Sequence, residues 1–92
     1  MNDNQEMILR FIAKKSEKLH EQIGAIVDAF IINENLGEDA VTLNIVFNAL
    51  ANNMRAIVEN NHDITDESVE AMIQSVSKQI RKGYAARTSN QN

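Results

Sequence analysis

Two histidines mark the places where this chain could do chemistry, and each stands in an incomplete site. His20-Glu21 has the opening spacing of an H-E-x-x-H zinc helix, in which two imidazoles one turn apart hold the metal and the glutamate serves as base. The second ligand position is Gly24, which carries no side chain, so His20 reads as a surface residue. His62 stands with Asp63, Asp66 and Glu67, which supply ligand-type atoms around one turn. Acids at such a place are also what a helix start recruits for its own free N–H groups and dipole. No nucleophile motif, glycine-rich phosphate cradle or pair of core carboxylates is present. The expectation is therefore a non-enzymatic protein with no catalytic residue, cofactor, metal or small-molecule substrate.

Asn33, Asn35, Gly37 and Asp39 alternate as in a calcium loop, and TDESVEAMI resembles the helix entry of calmodulin-like proteins. The loop departs from that pattern at two positions. Counted from Asn33, its glycine falls fifth instead of sixth, and Asn44 stands where a bidentate glutamate is needed. The capping chemistry is kept and calcium is not.

The elements that would position any site are helical. Ninety-two residues without proline, with three glycines and much Leu, Ile, Ala, Glu, Lys and Gln, predict an all-α chain. The absence of cysteine excludes disulfides and thiolate metal sites. The most apolar stretch is Val41 to Val58, which places Leu43, Val46, Phe47, Leu50, Met54, Ile57 and Val58 on one helical face. Ile45, Ala49 and Ala56 extend its apolar arc to roughly 240°, against roughly 100° for a helix with one buried face.

A first helix is predicted from about Asn4 to Glu34, with Ile8, Ile12, Leu19, Ile23, Ile26 and Phe30 along one side. Its middle is polar, and Lys15 takes a place in the spacing where a core residue belongs. No Gly or Pro marks a break at Ser16, so it is read as one continuous helix. Gly24 suggests a close crossing by another helix, Gly37 a left-handed cap, and Glu38 and Asp39 first-turn acids for the second helix. The third helix has Thr65 as N-cap, Ile64 and Val69 as a hydrophobic staple, and Val69, Met72, Ile73, Val76, Ile80 and Tyr84 on one face. Gly83 reads as its end. These elements predict a three-helix up-down-up bundle with a long N-terminal helix, occupying residues 1–84 as one domain, with residues 85–92 as a flexible tail. Two neighbours do not cover the wide arc of the middle helix, and homodimerisation is expected.

The net charge of −4 is segregated. Residues 10–18 carry a net +3, residues 28–70 a net −8, and residues 78–92 a net +4. Lys78, Arg81, Lys82 and Arg87, with Tyr84 among them, suggest phosphate contacts and base stacking on a nucleic acid. Lys and Arg near a helix C-terminus are equally favoured by the dipole, and a bundle would set them beside the acidic loop Glu34 to Asp39.

The acidic start MNDNQEMILRF lacks the pattern of a secretory signal, which points to the cytoplasm, and no apolar run approaches the ~20 residues of a membrane span. The sequence thus predicts a protein-binding module of adaptor, inhibitor, antitoxin-like or secretion-chaperone-like type. Ile45, Ala49, Asn53 and Ala56 are its expected partner surface, and Asn53, if buried, would set register through a hydrogen bond. A small nucleic-acid-binding regulator is the alternative.

Overall fold

The computed structural model describes residues 2–90. Its described residues form three helices and no strand: α1 is Asp3–Asn33, α2 Ala40–Glu59 and α3 Asp66–Asn90. The chain divides within α2 into two units, Met1–Ala51 and Asn52–Asn92.

In the first unit, α1 is one uninterrupted helix of 31 residues. Asn2 starts it with a reciprocal capping box: its side-chain oxygen accepts from Gln5 N at 2.8 Å, and Gln5 Oε1 accepts from Asn2 N at 3.3 Å. At the other end, Leu36 N donates to Ile31 O at 2.9 Å and Asn35 N to Ile32 O at 3.1 Å. That pair of bonds is a Schellman motif, and it requires a left-handed residue between helix and loop. Asn35 takes that place, with φ 55°. The expectation that Gly37 would do so is corrected, since no described glycine has positive φ. Asparagine tolerates this conformation, and at Asn35 the six-to-one bond closes two residues earlier than at Gly37.

Asp39 is likewise a cap and not a first-turn acid. Its carboxylate accepts from Thr42 N at 3.0 Å and its carbonyl from Leu43 N at 3.1 Å, so α2 begins after it. The Thr42 N–H holds the Asp39 carboxyl below its ordinary value of 3.8 against the opposing effect of desolvation, with the Thr42 side chain and Val41 N–H adding to the lowering. Partial burial in this unit gathers at the same corner, on Val27, Ile31, Leu36, Val46 and Leu50, with Thr42 only 6% exposed.

In the second unit, α2 ends at Glu59, just before the Asn60-Asn61-His62 run where its end was expected. Asn60 Nδ2 donates to Ala56 O at 2.9 Å, and Asn61 Oδ1 accepts from Asp63 N at 3.0 Å to turn the chain. Thr65 then caps α3: Ser68 N donates to its Oγ1 at 3.1 Å, while Thr65 N donates to Ser68 Oγ at 2.8 Å. Ile64 and Val69 are both half-buried at this entry, the placement a hydrophobic staple needs. The helix does not stop at Gly83. It continues to Asn90, and Thr88 Oγ1 donates back to Ala85 O at 2.9 Å, so residues 85–90 are helix where the sequence suggested a tail. Residues 91 and 92 of that expected tail lie outside the described residues.

Three well-capped helices result, yet among the described residues no hydrophobic side chain is buried. Gly24 shares this openness: a Cβ built there meets nothing within 4 Å, so no helix crosses it closely.

Candidate functional site

The surface most able to act is apolar. On α2 the face of Leu43, Val46, Phe47, Leu50, Met54, Ile57 and Val58 was expected to fill a core, leaving Ile45, Ala49 and Ala56 over; of that face only Val46 and Leu50 are half-buried. Phe47 is 47% exposed and Ile45 39%, and Leu43 and Ile57 are more open still. Both flanks of α2 are therefore available, and exposure does not single out the second. Asn53 and Ala56 are also exposed, and Ala49 and Asn53 each take part in an interaction of their own. The polar strip of this helix is held locally, by Asn44 Nδ2 to Ala40 O at 2.8 Å and by the Arg55–Glu59 ion pair at 2.8 Å.

The continuity of α1 exposes a pattern that counting Ile8 as a face residue conceals. Leu9, Ser16, Ile23 and Phe30 recur every seven residues, as do Ile12, Leu19 and Ile26 three residues later. Together they are the a and d positions of a heptad repeat, whose single polar member is Ser16. Lys15 falls beside this seam and not within it, and its Nζ lies 5.6 Å from the centre of the Phe11 ring one turn earlier. The stripe is open along its length: Leu19 is 56% exposed, and even Ile23, its most sheltered large member, is 36% exposed. The signal was present in the sequence as a period of seven; Ile8 and Lys15, each one residue off, masked it.

On α3 the cations are dispersed by helical geometry. Lys78, Arg81 and Lys82 fall within about 100° of one another, Tyr84 about 120° from Lys78, and Arg87 on the opposite side from Lys78. The ring thus does not lie between the cations on one face. It continues the apolar stripe of Val76 and Ile80, all three exposed.

Titratable chemistry finds no focus. No group of three or more His, Asp or Glu side chains comes together to hold a metal among the described residues. His20, Glu21, His62, Asp63, Asp66 and Glu67 are all exposed. No described helix is long and apolar enough to cross a membrane. Compared with protein families, curated proteins and solved structures, the chain matches none.

Proposed function

We propose that this chain is a small non-enzymatic helical module that binds another protein by laying apolar helix faces on it, in an adaptor, inhibitor, antitoxin-like or secretion-chaperone-like role. One observation carries the reading: every large apolar position on the faces of α1 and α2 stays open or only half-buried. In proteins most of a helix's stability comes from packing its apolar face. Each Leu, Ile or Phe left in water also forgoes about 1.5–3 kcal/mol of burial. Such a chain gains its stability where something covers it. In the assembled state the three helices take the up-down-up bundle arrangement, in a homodimer, and the protein works in the cytoplasm.

Ile45, Ala49, Asn53 and Ala56 on α2 form the partner surface in this reading. The test is affinity capture from the source cell with wild type and with Ile45→Glu or Ala49→Glu. Loss of a specific captured protein, with the far-UV helical signal kept, is the expected outcome. Capture that both variants leave unchanged overturns the assignment to this flank.

The alternative, a nucleic-acid-binding regulator, draws on Lys78, Arg81 and Lys82, none of which pairs with a carboxylate among the described residues. It requires complexes on a low-salt gel shift at micromolar protein, weakened by salt and by neutralising these three residues. Tyr84 and Arg87, displaced around the helix, would add little to that contact.

A further inference from the structure

We propose that α1 pairs with α1 of a second copy of this chain, antiparallel, along the heptad seam from Leu9 to Phe30. The inference rests on the reading above, that the open apolar faces are association surfaces, and it names the occupant of one of them.

The first support is the seam's shape. A stripe that fills the a and d positions over three heptads, Ser16 aside, fits one partner helix of the same repeat, since each side chain enters a hole between four residues of the facing helix; Met7, Ile8, Phe11 and Ile32 lie off it near the helix ends. The half-buried residues of α1, Gly24, Val27 and Ile31, lie to one side of this stripe, so the corner with α2 leaves it uncovered.

The second support is area. The chain exposes 8429 Å², whereas a folded chain of this mass exposes roughly 5,400 Å². The surplus, roughly 3,000 Å² on each chain and so roughly 6,000 Å² on two copies, exceeds what the seam alone would cover and leaves room for an obligate homodimer interface, which removes about 2,000–5,000 Å² from the two partners together.

The third support is charge, and it decides the direction. Residues 10–18 of α1 carry Arg10, Lys14, Lys15 and Lys18 against Glu17, while residues 21–34 carry Glu21, Asp28 and Glu34 with no cation. A parallel pair would stack the cationic segments on each other and the anionic ones likewise. An antiparallel pair sets each cationic segment beside an anionic one. In the register that centres the two segments, Leu19 lies opposite Ile23 of the second copy and Ile12 opposite Phe30 of the second copy. The same register brings the level of Lys14 to that of Asp28 of the second copy. Lys14 and Asp28 both stand at outward positions, roughly 20 Å apart and beyond about one Debye length at 0.1 M salt, so the preference is a long-range one that grows as salt falls.

The test uses the full chain. Light scattering of wild type is expected to give twice the chain mass of 10.3 kDa; Leu19→Glu should give a monomer. Because that variant could simply misfold, Ser16→Leu serves as the opposite probe: completing the seam should tighten the dimer by roughly tenfold or more. Reversing Lys14 and Lys18 to Glu should weaken it, and adding Glu21→Lys and Asp28→Lys should restore it. Direction is read from a spin label at Met7→Cys, since the chain has no other cysteine. Antiparallel pairing in this register separates the two labels by about 42 Å along the axis at 1.5 Å per residue. A parallel pair would bring them within about 20 Å. A short distance, a monomeric wild type, or indifference to Ser16→Leu overturns the proposal. A monomer that still captures a partner through α2 overturns self-pairing alone; a monomer that captures nothing ends both readings.

Discussion

α1 and α2 are both apolar helices left open to water, and they differ in the width of what they expose. On α1 six of the ten exposed large apolar residues fall on a stripe with a seven-residue repeat, narrow enough for one facing helix to close, and Met7, Ile8, Phe11 and Ile32 lie off it. On α2 they wrap roughly 240° of the surface, more than a single neighbour covers. Width therefore sorts the two helices into different tasks: a narrow seam suits a single defined mate, whereas a broad surface suits a bundle interior that continues into a partner. Total hydrophobicity would have ranked α2 first and missed the more specific surface on α1.

The sharpest way to break this comparison is to charge one helix at a time. Leu19→Glu on α1 should abolish self-association and leave α2's partner surface in place, while Ile45→Glu should do the reverse; light scattering and partner capture on the same two variants decide it. If either substitution removes both activities, the two helices serve one surface and the contrast fails. Phe47→Ala offers a graded version. Where the α2 face is covered in the assembly it should cost about 3–5 kcal/mol in chemical denaturation. A value within about 0.5 kcal/mol would mark Phe47 as a surface residue in every state.

Smaller effects probe the caps, which do not depend on what covers the faces. Thr65→Ala removes the oxygen that receives Ser68 N and should lower stability by about 1 kcal/mol in a thermal or urea melt. Asn35→Ala forces a β-carbon without a local hydrogen-bonding side chain into the left-handed region, costing about 1 kcal/mol, whereas Asn35→Gly should be neutral or better. Gly24→Ala should stabilise α1 by up to about 1 kcal/mol, because its Cβ meets nothing and the position lies off the seam. Stabilisation without change in self-association would confirm that Gly24 is not a crossing point.

The smallest expected effect is that of pH on α2's start. The folded Asp39 carboxyl titrates below its ordinary 3.8 because it accepts from Thr42 N. Its contribution is therefore fully present above the unfolded value and is lost as pH falls through the lower folded value. An acid titration by circular dichroism should show helix loss below about pH 4, reduced in Asp39→Asn.

Helix count, helix identity and most helix ends were legible in the residues, and for one reason. Thr65 with Ser68, Asn60 with Ala56, and Asp39 with Thr42 are partners within four residues, so the hydrogen bonds that stop or start the chain are written in short spacing. The expected partner residues on α2 were legible as an apolar flank, but their rank over Phe47 or Leu43 was not, because that ranking assumed a core face buried within one chain. Gly83 was misread because one glycine costs a helix only about 1 kcal/mol, which the turns on both sides outweigh.

By itself, then, the sequence determined an all-α chain of three helices with the cap at Thr65, since these depend on local backbone bonds and a 3.6-residue period, while the structure made Asp39 a cap where a first-turn acid was expected. The structure decided that Asn35 and not Gly37 turns left-handed, because two bonds from Leu36 and Asn35 must close over Ile31 and Ile32 together. It also bears out the continuity of α1 past Ser16 that the absence of Gly and Pro implied, and that continuity aligns the scattered apolar residues in one seam. Above all it decided that Leu19, Ile45 and Phe47 stay exposed. Periodicity states which residues share a face, and only tertiary structure states whether anything covers it.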